Sequence, residues 1–257
     1  MRFLLDSILF SILYPLVLFG FLALGFFYSR QFYIKRNEFW KPVGIENGLI
    51  GIYALLISFT MVGSGNYVRE RSEIIHQEAD EIALVFRTSK FYKDTLLQNQ
   101  VHRYLRDFLS IQFSNSRPSP EECLQLIDSI EATEKMLDLF LIDYVRKNPS
   151  AKAEVNSLIL SLEKAESRYY LLLYTFMERT PVPLMITLVA LSFIIAFLIG
   201  FMNSFQENQS FVVPVIFILI TVLMINGIRD LDNPVGGLIT PHYEDLINVQ
   251  KVVKSGY

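Results

Sequence analysis

The stretch from residue 44 to residue 82 carries side chains whose types and spacing suit the passage of small ions. Three apolar residues are followed by small, polar or cationic ones: Ile52, Leu55, Phe59, Gly63, Asn66, Arg69 and Arg71. Steps of mostly three or four residues place such a row along one side of a helix. If copies of this helix surround an axis, the apolar residues would form a pore constriction that gates by dewetting. The residues from Gly63 onward would then form a wider, cation-lined vestibule.

Simpler interpretations of the same stretch remain open. An ordinary membrane helix would pack against its neighbours through small residues, which recur on one side of the predicted helix: Gly44, Gly48, Gly51, Ser58 and Gly65. Small residues let backbones approach closely in lipid, where no hydrophobic effect drives helices together. Just outside the bilayer, the two arginines could instead bind lipid head groups, or pair at helical spacing with Glu70, Glu73 and Glu78.

The rest of the sequence offers little for enzymatic chemistry. His76, His102 and His242 lie far apart and lack the spacing of metal ligands, and Cys123 has no evident base. The chain also lacks a glycine-rich phosphate loop and the Gly-x-Ser-x-Gly motif of hydrolases. We therefore predict no catalytic residue, no cofactor and no resident metal, and we do not expect an enzyme.

A second cluster of polar side chains lies near the C-terminus. Asp230, Asp232 and Asn233 offer oxygen ligands that would suit a cation such as Ca²⁺. The residues that follow exclude a regular helix and are typical of turns: Pro234, Gly236 and Gly237. Both interpretations stay open, and capping of a turn is the one we favour.

Composition indicates a membrane protein with a polar insertion. Of the 257 residues, 52% are hydrophobic, and most of the charged ones fall between residues 66 and 180. The net charge of −3 argues against nucleic-acid binding. The single cysteine excludes an intrachain disulfide, so nothing indicates an oxidising compartment for the insertion.

Apolar runs at residues 3–28, 44–65, 184–202 and 211–228 are long enough to cross a bilayer. The first exceeds the apolar length of a signal peptide, so we interpret it as a membrane anchor. Between the second and third runs, apolar stripes at helical spacing predict a small antiparallel helical bundle. The predicted fold is an all-α membrane protein with four transmembrane helices and a helical-bundle insertion between helices two and three. Its divisions are residues 1–65 (helices one and two), 66–180 (insertion), 181–228 (helices three and four) and 229–257 (C-terminal turn and short helix).

Several of these segments resemble the bacterial bestrophin-like membrane proteins, a family of unknown function. That family has a Phe-Thr pair, an arginine-rich helical turn and an acidic block, which here correspond to Phe59-Thr60, Arg69-Glu70-Arg71 and residues 77–82. Residues 232–237 are similar to its C-terminal Asp-x-Pro-Phe-x-Gly segment. Through this family the chain distantly resembles the bestrophins, which are pentameric anion channels with an apolar neck on the second membrane helix.

The resemblance implies a homo-oligomeric ion channel, with small anions as the expected cargo and five as one candidate number of subunits. The second membrane helix would line its pore. The alternative is a non-conducting membrane scaffold or sensor whose helical insertion binds a partner protein. The orientation signal is mixed, because four cations in the loop after the first span favour a cytoplasmic position for that loop. Arginines near the membrane on the other side argue against it: Arg2, Arg69, Arg71, Arg168, Arg179 and Arg229. We expect a bacterial inner-membrane protein with both termini and the insertion in the cytoplasm.

Overall fold

A computed structural model of the chain describes residues 7–32, 44–114, 120–206, 210–233 and 237–256. These residues form eight α-helices and one short 3₁₀ turn, Pro149–Ala151. The helices are α1 (Ile8–Phe32), α2 (Ile45–Ser89), α3 (Thr95–Ser114), α4 (Pro120–Lys147), α5 (Lys152–Met177), α6 (Val182–Asn203), α7 (Val212–Asp232) and α8 (Glu244–Ser255). Within the described ranges there is no strand, so the all-α prediction is confirmed.

Four stretches of the described chain are long and apolar enough to cross a membrane: Leu9–Phe32, Ile45–Ser89, Pro149–Asn203 and Val212–Asp232. The third stretch is most apolar over α6. The number and order of the predicted spans are therefore confirmed. The charged continuation of the second span is also confirmed as helical, because α2 runs for 45 residues without a break.

The chain divides into two compact units. The membrane unit comprises Met1–Asn66 and Arg179–Leu238, and the bundle unit comprises Tyr67–Glu178 and Ile239–Tyr257. Residues after 229, predicted as one C-terminal segment, are thus shared between the two units.

In the membrane unit, the backbones of α1 and α6 approach each other closely. A Cβ placed on Gly25 would overlap the carbonyl oxygen of Phe197, and one on Gly200 would overlap the carbonyl oxygen of Leu22. Each glycine therefore admits the backbone of the other helix, as expected for helices that associate in lipid. Buried Leu18, Leu22 and Ala196 pack beside this contact.

The small residues predicted to form a packing face on α2 make no such approach to the described residues. A Cβ on Gly44, Gly48, Gly51 or Gly65 meets nothing within 4 Å among the described atoms, and Ser58 is exposed. Gly44 has a different role, because its φ of +88° is one that side-chain-bearing residues rarely adopt. Its N–H donates to Glu46 Oε2 at 2.9 Å, at the start of α2. Packing between copies at these glycines stays a prediction.

The bundle unit holds the second part of α2 together with α3, α4, α5 and α8. Its core is formed by the apolar stripes of these helices, including Ile75, Phe108, Ile130 and Leu158, each no more than 1% exposed. Leu246 and Val253 attach α8 to the same core. A single hydrophobic core shared by five helix segments explains why the polar insertion folds as a bundle.

Candidate functional site

The part of α2 in the membrane unit has one buried face and one exposed face. Tyr53 and Ile57 pack into the core of the unit with exposures of 5% and 7%. The three predicted constriction residues lie on another side and are among the most exposed apolar residues of the helix: Ile52 at 57%, Leu55 at 56% and Phe59 at 67%. The structure therefore brings them together in one row that the chain itself leaves uncovered.

The predicted vestibule residues separate into two groups. Gly63 is half-buried, and Asn66 and Arg69 are exposed. Arg71 differs, because its side chain is fully buried at 0% exposure. Two helical turns separate Ile57 from Ser64 and Ser64 from Arg71, so Arg71 continues the buried face of α2. An arginine closed off from solvent does not line a water-filled vestibule, and the prediction is wrong for this residue.

Arg71 instead caps the C-terminal end of α5. Its Nε and Nη2 donate to the carbonyl oxygen of Thr175 at 3.1 and 2.8 Å, and Nη2 also donates to the carbonyl of Glu178 at 2.8 Å. The last carbonyls of a helix lack partners within the helix and carry partial negative charge, which a cation offsets. The aromatic rings of Tyr67 and Phe176 lie within about 6 Å of the guanidinium carbon, a distance that permits cation–π attraction.

A hydroxyl–carboxylate network joins three helices of the membrane unit. Asp232, at the end of α7, accepts hydrogen bonds from the backbone N–H and the hydroxyl of Thr180 at 3.1 and 2.7 Å. The Ser64 hydroxyl of α2 lies 3.0 Å from the same Thr180 oxygen. Thr180 lies two residues before α6, so the carboxylate also faces the positive end of that helix. Asp232 therefore acts as a structural cap.

The neighbouring C-terminal residues also use their oxygens to hold the chain. Asp230 Oδ1 accepts from the N–H of Leu238 at 2.7 Å, and the Asn233 carbonyl accepts from Gly237 at 3.0 Å. A Cβ at Gly237 would crowd the carbonyl oxygens of Asp230 and Asn233. Within the described ranges, no group of three or more histidine, cysteine or acidic residues is placed to hold a metal ion. These contacts favour the turn interpretation; Pro234 and Gly236 lie outside the described residues.

A second arginine anchors α7 to α1. Arg229 donates through Nη1 to Ser11 Oγ at 2.8 Å and to Asn226 Oδ1 at 2.7 Å, and through Nη2 to the carbonyl of Ser7 at 3.0 Å. Its guanidinium carbon lies 4.7 Å from the centroid of the Phe10 ring. The position of Arg229 at the end of an apolar span was the only signal in the sequence, and it does not identify these partners.

The histidines form contacts typical of structure rather than catalysis. His76 Nδ1 lies 2.8 Å from Asp245 Oδ2, which joins α2 to α8 within the bundle unit. The hydrogen bond to Asp245 raises the pKa of His76, and the charges of Asp80 and Asp245 add to that effect. His102 is half-buried beside Ser89, and burial lowers its pKa.

A model of the bestrophin-like domain family matches residues 12–240, which is most of the chain. The chain belongs to the bestrophin-like family. No curated protein matches this bestrophin-like chain at a significant level in sequence.

Solved structures share the fold of this bestrophin-like chain. A crystal structure of a bacterial bestrophin homologue from Klebsiella pneumoniae, carrying a tyrosine-to-alanine substitution, has a TM-score of 0.71 at 11% identity. The similarity covers 95% of this chain and 98% of that one. A membrane protein with a leucine-to-alanine substitution has a TM-score of 0.72 at 10% identity, covering 96% and 98% of the two chains. At such low identity these similarities establish the fold alone, and they agree with a membrane location.

Proposed function

We propose that this bestrophin-like chain is the subunit of a homo-oligomeric channel for small anions, with α2 lining the pore. The observation that carries the proposal is the row of Ile52, Leu55 and Phe59, which the protomer leaves more than half exposed while the opposite face of α2 is buried. In a ring of copies, such a row can face a common axis. The family assignment supports this arrangement over an isolated helix packed in lipid.

The three apolar residues would form the constriction. From the first to the third there are seven helical steps, which correspond to about 10 Å along the axis of α2. An apolar wall of that length can exclude water when it is narrow, and therefore block ions without a charged gate. Phe59 is the largest and most exposed of the three, so we assign it the narrowest point.

A wider, anion-attracting vestibule would follow the constriction. Gly63 removes side-chain bulk from the wall, and Asn66 and Arg69 supply hydrogen-bond donors and positive charge. Fixed cations at a pore mouth raise the local anion concentration. Arg71 has no part in this vestibule, because its guanidinium is committed to the end of α5.

The small residues exposed on α2 would form the contact between neighbouring copies. A Cβ on Gly48, Gly51 or Gly65 would meet no described atom within 4 Å, which leaves room for another backbone at close range. We propose a ring of subunits in the bacterial inner membrane, with five as the candidate number. The termini and the helical bundle would lie in the cytoplasm, and lipid would cover the outer helices.

Planar bilayer recordings test the proposal with a matched pair of substitutions. Phe59→Ala widens the proposed constriction and should raise anion conductance several-fold over the wild type. Phe19→Ala removes a phenylalanine of α1 that is also highly exposed, at 59%, and should leave conductance unchanged because that residue would face lipid. Equal effects of the two substitutions, or no conductance under varied pH, Ca²⁺ and voltage, would contradict the proposal.

The alternative function is a non-conducting scaffold or sensor. The observation that favours it is the unbroken 45-residue α2, which could transmit a change along its length without any pore. An imaged particle separates the two functions. A closed ring with a central passage supports the channel, whereas a dimer with a filled axis supports the scaffold.

A further inference from the structure

A carboxylic acid lies inside the apolar core of the bundle unit. Glu78 of α2 is fully buried at 0% exposure, on a helix face that carries buried Ile74, Ile75 and Ile82. Ionised carboxylates are rarely buried without a cation, because removing the charge from water costs several kcal/mol. The environment of Glu78 therefore decides in which protonation state it can exist.

The hydrogen-bond partners of Glu78 match a protonated acid. Gln112 of α3, itself 4% exposed, donates from Nε2 to Glu78 Oε1 at 2.7 Å. Glu78 Oε2 and Gln112 Oε1 have no partner among the described residues. If Glu78 is ionised, both of these oxygens are acceptors without a donor. If Glu78 carries a proton on Oε2, that O–H can donate to the amide oxygen and satisfy both groups.

Among the residues that the structure describes, the titratable groups around Glu78 supply no compensating charge. The effects that bear on its pKa are burial, which raises it to about 8, and the hydrogen bond from Gln112, which opposes the rise. From α5, Tyr169 interacts electrostatically with Glu78, and Cys123 of α4 and Tyr243 interact in turn with Tyr169. Each of these three side chains is neutral or negative, so none supplies a positive charge to offset a carboxylate at this position.

We propose that Glu78 is a proton-binding site of the bundle, occupied at neutral pH and emptied when the surrounding solution becomes alkaline. The proton leaves Oε2 for solvent, and the acid–amide pair is replaced by a buried carboxylate facing an amide oxygen. That change weakens the packing of α2 against α3. A pH effect on conduction through the same α2 rests in addition on the proposed channel function; the proton site itself does not.

Infrared difference spectroscopy of the purified protein tests the site without any measurement of transport. A pH titration should show the carbonyl stretch of a protonated carboxyl group that disappears with a midpoint near pH 8. Glu166 has a pKa raised by burial to about 7 and will contribute a similar band. The Glu78 contribution is therefore isolated by subtracting spectra of Glu78→Gln. A wild-type titration identical to that of Glu78→Gln would overturn the proposal, and would indicate a carboxylate that is hydrated by bound water.

Thermal unfolding against pH provides the second readout. In the unfolded chain Glu78 ionises near the ordinary value of 4.5, so the folded state binds one more proton between that pH and about 8. Stability from this group is therefore greatest in acid and falls as pH rises through that window. Glu78→Gln mimics the protonated acid and should remove this part of the slope.

The matched control for that experiment is Glu73→Gln, which changes an exposed glutamate of the same helix and should keep the wild-type slope. Slopes that agree among the wild type and both variants would refute the site. Because neither readout uses ion flux, a protein that does not conduct can still confirm or refute the proton site.

Discussion

Substitution of Arg71 by methionine tests whether this arginine of α2 has a structural role, in contrast to Arg69, which we assign to the vestibule. The change keeps a long, apolar stem but removes three hydrogen bonds from a guanidinium to two carbonyl oxygens. Hydrogen bonds to charged groups contribute about 1.5–3 kcal/mol each, and an unsatisfied buried carbonyl costs about 1–3 kcal/mol. Part of this loss is offset, because the guanidinium no longer has to be desolvated.

We therefore expect Arg71→Met to reduce the free energy of unfolding by about 2–4 kcal/mol. This lies somewhat below the cost of about 3–5 kcal/mol for breaking a buried ion pair, because the carbonyls left behind carry no full charge. For a chain of this size, the expected loss corresponds to a fall of the unfolding temperature of the order of 10 °C. Circular dichroism of the protein in detergent, recorded during heating, measures it. Arg71→Lys should recover only part of the loss, because an ammonium group lacks the planar fork that reaches both carbonyls.

The control is Arg69→Met, two positions earlier on the same helix. Arg69 is exposed, so its loss should change the free energy of unfolding by no more than about 0.5 kcal/mol. In bilayer recordings the same substitution should lower anion conductance or selectivity, since it removes the charge that we propose for the vestibule. Equal unfolding temperatures for the two variants would refute the capping role of Arg71 and return it to the list of pore candidates.

Two further substitutions test contacts in the membrane unit. Gly200→Val places a side chain against the Leu22 carbonyl and should abolish the yield of folded protein in size-exclusion chromatography. Gly20→Val, where a Cβ meets nothing within 4 Å, should be tolerated; similar yields would contradict the close approach of α1 and α6. Asp232→Ala leaves the N–H and hydroxyl of Thr180 without their acceptor and should destabilise the protein by about 1–2 kcal/mol, as for loss of a helix cap. An unchanged denaturation midpoint would show that the cap contributes nothing.

The sequence predicts the fold well because hydropathy and helical periodicity report directly on burial. The runs that form α1, α6 and α7 are apolar on every side of the helix, and apolar runs of that length indicate membrane spans. The continuity of α2 was predictable for a related reason. No proline interrupts residues 45–89, so the strongest sequence signal for the end of a helix is absent where the apolar part stops.

The candidate site was predictable only in part, because spacing identifies a face but not the group that covers it. The glycines of α2 recur as a packing face should, yet the described part of the chain supplies no partner for them. Gly25 and Gly200, which do make the close contact, occur in uniformly apolar runs without any periodic signal. Arg71 was misassigned with Arg69 because both are cations near the membrane. The seven-residue steps from Ile57 through Ser64 to Arg71 were a usable sign of its burial.

The reciprocal contact of Gly25 and Gly200 also constrains how the protein is made. α1 leaves the ribosome first, and all of α2 to α5 is synthesised before α6 appears. During that interval the surface of α1 at Gly25 lacks the α6 backbone that covers it in the folded protein. The Tyr14 hydroxyl likewise lacks Ser192, to which it donates a hydrogen bond at 2.9 Å once α6 has been inserted. Folding of the membrane unit therefore depends on a segment that is synthesised late. A chain arrested before residue 200 should leave α1 without its packing partner and open to quality-control proteases.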